Sequence, residues 1–153
     1  MDNGSKELNI GRAGQYYVLA DLLLRGVKAF STDEGVNYDV VADVGKLIRL
    51  QVKTTQKQTL ARIRKTPVYF FHLRRAGKGG KRKYQLGEFD GFALVALDKK
   101  EVFYLPFTEK ISSSTACLRD KKLNYAGYRN WIRPGTYFQD LTWEKFIKEV
   151  CQE

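Results

Sequence analysis

The chain has 153 residues, 43% of them hydrophobic, and a net charge of +10 at pH 7, which is enough for one core and too little for two comfortable domains. Its two cysteines, Cys117 and Cys151, exclude a disulfide framework and a Cys-x-x-Cys zinc site, and no apolar run has the length of a membrane span. We therefore expect a cytoplasmic protein with reduced thiols, no membrane association and an anionic partner.

The first predicted element is a helix over residues 10–25, capped by Asn9 and ended by Gly26. Three consecutive leucines, residues 22–24, are predicted to face the core. Gln15 lies within this helix, and apolar residues follow it at helical spacing: Val18, Leu19 and Leu22. This spacing places Gln15 on or beside the packed stripe.

Two glycines precede Gln15 in the same helix, Gly11 and Gly14. Because glycine has no side chain, we expect another element of the fold to approach the helix closely at these positions.

The next predicted elements are two strands in residues 36–54, VNYDVVADVGKLIRLQVKT. Successive side chains on a strand point to opposite faces, so Gln51 and Lys53 share one face. A turn over residues 43–46 contains Asp and Gly, which tolerate the backbone angles of tight connections, and folds the strands into a hairpin. Asp39 then lies beside Gln51 and Lys53.

A carboxylate, an amide oxygen and an ammonium group on one strand face form an oxygen site for a hard divalent cation, with a positive charge directed at phosphate beside it. Taken singly, each residue favours an ordinary structural role: Asp39 that of a strand-entry residue, and Gln51 and Lys53 that of a solvated polar face. Their joint spacing favours the metal site.

These features occur in an order that resembles the PD-(D/E)XK nuclease superfamily and, within it, the small homing endonucleases encoded by bacterial group I introns. The resemblance covers residues 10–106. Its motifs are the helix segment Gly-Arg-Ala-Gly-Gln at residues 11–15, Asp39, the Gln-Val-Lys-Thr ending at residues 51–54, and the segment Phe-Asp-Gly-Phe-Ala at residues 89–93.

The resemblance implies an α/β fold with a restriction-endonuclease-like core, in which helices flank a central mixed β-sheet and a basic β-hairpin is added. It also implies hydrolysis of DNA with Mg²⁺ as cofactor, leaving a 5′-phosphate and a 3′-hydroxyl. Metal ligands in this scheme are Asp39, the Val52 carbonyl, Gln51 and residue 15. Lys53 orients or activates the attacking water and offsets phosphoryl charge.

Two residues depart from the family pattern. Gln51 replaces an acid, a change that some members of the superfamily accept. Gln15 stands where the family has a Glu, which leaves Asp39 as the only carboxylate of the motif. We interpret Gln15 as a replacement that leaves DNA bound but impairs its cleavage.

The positive charge is concentrated after the proposed site: residues 57–140 hold eighteen Lys and Arg against seven Asp and Glu, whereas residues 1–56 hold seven of each. Two strand-like runs in residues 59–86 predict a long hairpin with one apolar and one basic face, narrow enough to enter the major groove of DNA. Pro67 marks an edge or a break between strand pieces. The predicted DNA-contacting residues are Arg62, Arg64, Lys65, His72, Arg74, Arg75, Lys78, Lys81, Arg82, Lys83 and Gln85.

Two further strands, residues 92–97 and 102–105, extend the central sheet around a turn at residues 98–100. Residues 107–140 are either a second DNA-contacting lobe or a subunit contact. The basic residues assigned to DNA there are Arg119, Lys121 and Lys122. Thr142 caps a closing helix, with Leu141 and Phe146 as a hydrophobic staple.

The sequence thus predicts one nuclease domain over residues 1–153, in four parts: active-site helix and hairpin (10–58), DNA-contacting ribbon (59–86), sheet extension (87–106), and second basic lobe with the C-terminal helix (107–153). The expected function is sequence-specific cleavage of double-stranded DNA by a homing-type endonuclease. Because one such site cuts one strand, we expect a homodimer, and a dimer of dimers suits a long target. The alternatives are a restriction endonuclease, a Holliday junction resolvase, and a non-catalytic protein that binds DNA or RNA.

Overall fold

The computed structural model describes residues 3–33, 35–61, 66–75, 82–111, 114–122 and 137–152. Over these ranges the helices are α1 (Asn3–Leu24) and α2 (Trp143–Val150). A short 3₁₀ turn, Phe138–Asp140, precedes α2. The strands are β1 (Lys28–Ser31), β2 (Val40–Asp43), β3 (Leu47–Thr55), β4 (Thr59–Leu60), β5 (Pro67–His72), β6 (Arg74–Arg75), β7 (Arg82–Lys83), β8 (Gly91–Ala96), β9 (Glu101–Pro106) and β10 (Thr115–Leu118).

The largest sheet has five strands in the order β1-β2-β3-β8-β9. The β3 and β8 strands are parallel, and the other neighbours are antiparallel, so the sheet is mixed as predicted. The two strands predicted after residue 90 are β8 and β9, and they extend this sheet. All six residues of β8 are buried, which explains why its sequence is an uninterrupted apolar run.

The two faces of this sheet bury separate cores. Ala93 and Val95 of β8 face α1 and α2, where they join a core that includes Val18 and Phe146. The alternate β8 residues face the second layer, in which β10, β5 and β4 form a small antiparallel sheet. The architecture is therefore a helical layer, a mixed sheet and a smaller sheet. The predicted α/β class with a central mixed sheet is confirmed.

Helix α1 differs from its prediction in its start and in the burial of its last turn. It begins at Asn3, so the expectation that Asn9 caps the helix is wrong: the segment before it, Ser-Lys-Glu-Leu, continues the helix instead. Leu22 is buried, but Leu23 and Leu24 are exposed, because three consecutive residues cannot all lie on one helical stripe. The predicted stop at Gly26 is confirmed, with a positive φ of 81°.

The predicted long hairpin over residues 59–86 is confirmed next to its turn and wrong for β5. Strands β6 and β7 pair as a two-stranded ribbon, with Arg74 opposite Lys83 and Arg75 opposite Arg82, whereas β5 lies between β4 and β10. The pairing with β10 places Leu118 opposite Tyr69, and both residues belong to the core. The predicted alternation of faces holds from Tyr69 onward, since residues 69, 71 and 73 are buried and residues 72 and 74 are exposed, but it is wrong for Val68, which is also buried.

The C-terminal helix follows its prediction. Thr142 Oγ1 accepts a hydrogen bond from the Lys145 N–H at 3.3 Å, and Leu141 and Phe146 are both buried. Phe146 packs closely over Gly91, where a Cβ atom would lie 2.8 Å from the Leu105 carbonyl oxygen. No helix in the described ranges combines the length and apolarity that a membrane span needs.

Candidate active site

The β2–β3 hairpin forms as its turn sequence predicts. Asp43 Oδ1 accepts a hydrogen bond from the Gly45 N–H at 3.0 Å, and Gly45 has a φ of 91°. In the paired strands Val40 lies opposite Leu50. The turn therefore fixes the register that brings the start of β2 next to the second half of β3.

Strand β3 continues beyond its last residue paired with β2, and Asp39 forms hydrogen bonds to the backbone of β3 there. The Asp39 N–H donates to the Leu50 carbonyl at 2.8 Å. Its Oδ2 accepts from the Val52 N–H at 2.9 Å and from Gln51 Nε2 at 3.0 Å. The residues that sequence spacing placed side by side, Asp39 and Gln51, are thus in direct contact.

The Asp39 carboxyl is in a largely desolvated position. Burial raises its pKa above the ordinary range, while the Val52 N–H and the positive charge of Lys53 act in the opposite direction. Its second oxygen, Oδ1, receives no hydrogen bond from the part of the chain that the structure describes. This oxygen can accept a cation or a water molecule.

Lys53 connects the hairpin to the ribbon formed by β6 and β7. Its Nζ donates to the Arg74 carbonyl at 3.0 Å and to Tyr84 Oη at 2.9 Å, and lies 5.1 Å from the centre of the Tyr84 ring. Burial lowers the pKa of Lys53, and the Asp39 charge partly offsets this effect. Tyr84, which sequence analysis missed, directly follows the return strand of the ribbon.

Gln15 is brought to the same region by the packing of α1 on β3. A Cβ atom at Gly14 would overlap the Thr54 hydroxyl and lie 2.9 Å from Thr54 Cβ, so the helix and the strand touch here as predicted. The same expectation is wrong for Gly11, since no other element of the described structure has a heavy atom within 4 Å of its Cβ position. Gln15 is half-buried at the border of this contact.

The two glycines predict opposite effects on stability. Gly14→Ala is expected to lower the free energy of unfolding by about 1–3 kcal/mol, because rotating Thr54 cannot remove the clash with its Cβ. Gly11→Ala, in open space on the same helix, is expected to raise it by about 0.5–1 kcal/mol. Urea unfolding of both variants measures the change in the free energy of unfolding. Equal changes in Gly14→Ala and Gly11→Ala would contradict the close contact between Gly14 and Thr54.

A cleft of about 760 Å³ lies between the first half of α1 and the segment that leads into β2. Gln15 and Asp39 both line it, together with Arg12. The segment is shaped by Thr32, whose hydroxyl donates to the Tyr38 carbonyl at 2.5 Å. Gln51 and Lys53 are not among the lining residues, so Asp39 is the point where the cleft meets the strand face.

The Phe-Asp-Gly-Phe-Ala segment supports β3 from its other side. Asp90 Oδ2 accepts from the Arg49 N–H at 2.7 Å and from Arg49 Nε at 3.3 Å. The parallel pairing of β3 with β8 follows directly, with Gln51 opposite Phe92. The motif residues at 89–93 therefore act in the fold as an anchor for the strand that carries Gln51 and Lys53.

Comparisons with known proteins give one informative result. No protein-family model matches the chain, and no curated protein matches it. Among solved structures it is similar to a bacterial homing endonuclease, I-Ssp6803I, with a TM-score of 0.60 and 19% identity over 80% of this chain and 84% of that one. At this identity the likeness establishes a shared nuclease-like fold.

The predicted DNA-contacting residues are distributed unevenly. His72, Arg74, Lys83 and Gln85 are exposed at or beside the ribbon. Arg75 and Arg82 are paired through their backbones, and their side chains lie outside the described part of the structure. The remaining residues assigned to this region also lie outside the described ranges: Arg62, Arg64, Lys65, Lys78 and Lys81.

The second basic group lies away from Asp39. Lys121 forms an ion pair with Asp140, and Lys122 lines a different cleft together with Asp21 near the end of α1. Arg119 bridges to Tyr137 through its backbone.

Proposed function

We propose that the chain is a Mg²⁺-dependent endonuclease of the PD-(D/E)XK type that cuts double-stranded DNA at a specific sequence, as homing endonucleases do. The observation that carries this proposal is the contact of the Asp39 carboxylate with Gln51 and Val52, next to a Lys53 held by the ribbon. The similarity of the fold to a bacterial homing endonuclease supports it.

The donor set suits a single hard cation that shares its coordination with DNA. In the described ranges no group of three or more His, Cys, Asp and Glu surrounds a common point, so Asp39 is the main charged ligand. The Val52 N–H points to Asp39, and the C=O of a strand residue points to the same side as its N–H. The Val52 carbonyl therefore faces the Asp39 side of the strand.

Asp39 and the Val52 carbonyl would hold Mg²⁺, with Gln51 and Gln15 as neutral oxygen donors, and phosphate oxygens and water completing the coordination. When bound, the ion lowers the pKa of its water and neutralises charge on the phosphate. In the structure the Gln51 amide donates to Asp39, so Gln51 also fixes the orientation of the carboxylate.

Lys53 supplies the remaining function at the scissile phosphate. An ammonium group has three N–H donors, and within the described ranges two are taken by Arg74 and Tyr84, which leaves one for a phosphoryl oxygen or the attacking water. Burial lowers the pKa of Lys53 from its ordinary value. Lys53 thus orients the nucleophile and offsets negative charge in the transition state.

Tyr84 provides a test of how Lys53 is positioned. Tyr84→Phe removes one of its two acceptors and is expected to slow cleavage about tenfold at saturating enzyme, with the DNA dissociation constant unchanged. The matched control is Tyr104→Phe, which loses a buried hydroxyl bonded to Asp21 and should leave the cleavage rate unchanged. Equal loss in both variants would mean that general destabilisation causes the effect.

We assign the grip on DNA to the ribbon and its neighbourhood. The double variant Arg74→Gln, Lys83→Gln is expected to weaken binding to duplex DNA and to reduce the slope of log K against log salt by about 0.9 for each phosphate that is no longer neutralised. Lys148→Gln, on the exposed side of α2, is the control for charge alone. An unchanged slope in the ribbon variant would move the interface elsewhere.

A double-strand break requires two sites, so the proposed enzyme acts as a homodimer or a dimer of dimers. Equilibrium sedimentation with and without a duplex measures the number of copies. A stable monomer on a fully cut duplex would contradict this part of the proposal.

Gln15 and Gln51 are amides at positions where the family has acids, and they favour a second candidate, a DNA-binding protein that has lost catalysis. The small number of carboxylates around Asp39 in the described ranges also favours it. Incubation with Mg²⁺ and three substrates, namely a long-site library, short palindromes and four-way junctions, separates the homing, restriction and resolvase functions. Binding without cleavage of any of them, by both the chain and its Gln15→Glu variant, would establish the non-catalytic function.

A further inference from the structure

One wall of the cleft beside Asp39 has no role in the chemistry proposed above. It is the face of α1 that contains Asn9, Arg12 and Tyr16, opposite residues 31–33 and 36–38. These α1 positions follow the three- and four-residue spacing of a single helical face. The cleft therefore extends along α1 in the N-terminal direction, away from Gln15 and Asp39.

The wall combines the groups that a nucleotide strand needs. Hydroxyl and amide groups come from Ser31, Thr32 and Asn9. Large apolar surface is left exposed next to them, with Leu8 at 71% and Tyr16 at 61% exposure. Polar groups suit phosphate and sugar oxygens, while an exposed aromatic ring suits a deoxyribose or base face.

Among the described residues that line this cleft, Arg12 is the one cation. It is exposed and forms no ion pair within the part of the chain that the structure covers. Because it precedes Gln15 by three residues on the helix, their Cβ atoms are on the order of 5–6 Å apart. Its guanidinium is placed to reach a phosphate next to the one at Asp39.

The cleft is not a general trap for anions. Asp33 also lines it, so the described part of the lining opposes Arg12 with two carboxylates, those of Asp33 and Asp39. A small free anion gains little from such a site. A DNA strand that is already held at the ribbon gains one additional, local contact to a single phosphate.

We propose that the cleft between the first half of α1 and residues 31–33 and 36–39 holds the DNA strand on one side of the scissile phosphate, with Arg12 bound to the neighbouring phosphate. This inference rests on the proposed function. It adds a backbone-binding site that is separate from the basic ribbon.

The test compares two charge removals on the same helix. Arg12 lines the cleft and is replaced in Arg12→Gln, whereas Lys6, replaced in Lys6→Gln, is exposed on α1 and does not line the cleft. A duplex selected from a random library by binding to the full chain serves as the probe. Arg12→Gln is expected to weaken binding about tenfold and to reduce the salt slope by about 0.9. Lys6→Gln should have no more than a small effect.

Neutral methylphosphonate links, placed one at a time along the selected duplex, locate the contact. The neighbour of the phosphate cut by the Gln15→Glu variant should be sensitive with the parent chain and insensitive with Arg12→Gln. Equal losses of binding affinity in Arg12→Gln and Lys6→Gln would overturn the inference. So would a methylphosphonate scan in which the parent chain and Arg12→Gln are sensitive at the same phosphates. Either result leaves the nuclease proposal intact. A parent chain that binds no duplex overturns both.

Discussion

Replacing Gln15 by Glu is expected to raise the Mg²⁺-dependent cleavage rate by at least about 100-fold, because it adds a second carboxylate to the proposed Mg²⁺ site, in which Asp39 would be the main charged ligand. Both residues line the same cleft, and the close contact of Gly14 with Thr54 keeps position 15 at this place. The single-turnover rate on one cleavable duplex, titrated with Mg²⁺, is the measurement.

The control for this gain is Gln15→Ala, which removes the amide without adding charge. It should cleave no faster than the parent chain, and all three forms should bind the duplex with similar affinity, because the grip is assigned to the ribbon. A parent chain that cleaves as fast as Gln15→Glu would contradict the interpretation of Gln15 as an impairing residue.

Asp39→Asn and Lys53→Met, each made together with Gln15→Glu, are expected to reduce cleavage by at least about 1000-fold. Asn keeps the shape of the carboxylate but not its charge, and Met keeps the length of the lysine without its donor. The measurement is the same single-turnover rate, with bound DNA determined in parallel.

The two substitutions should differ in their effect on binding. Asp39→Asn should leave duplex affinity within about threefold, as a change without direct contact to the ribbon. Lys53→Met should weaken binding more, because Lys53 bonds to Arg74 and Tyr84 at the base of the ribbon. Loss of binding in Asp39→Asn would contradict the separation of cleavage from grip.

The hairpin at the centre of the site could be predicted because its determinants are local. The Asp-Val-Gly-Lys turn fixes the register, and alternation along β3 places Gln51 and Lys53 on one face. Asp39, immediately before β2, then has to lie beside Gln51. Apolar β8 was predictable for the same reason, since its burial on both faces is evident from its composition.

The pairing of β5 could not be predicted, because it depends on a strand more than forty residues later in the chain. Buried and exposed side chains alternate from Tyr69 to Arg74 as in any amphipathic strand. This alternation does not say whether the return strand of the hairpin or β10 pairs with β5. The same limit hid Tyr84, whose contact with Lys53 spans thirty-one positions. Strand β1 was missed because only one of its four residues is even half-buried.

The helix contributes to the site in a way that sequence analysis captured only in part. Gln15 was singled out by a motif, and Gly14 by its lack of a side chain, and both lie where α1 meets the hairpin. Arg12 lies within the Gly-Arg-Ala-Gly-Gln segment, but the sequence alone assigned it no role. Its position becomes significant only because residues 31–33 and 36–39 line the opposite side of the cleft.

The central claim is that this fold carries a sequence-specific Mg²⁺-dependent DNA endonuclease centred on Asp39. Sequencing of the ends released from a duplex library by the Gln15→Glu form, with its Asp39→Asn derivative as the blank, tests it most directly. We expect ends with a 5′-phosphate at one long sequence, cut in both strands and absent from the blank. No ends above the blank, with the library bound, would contradict the claim.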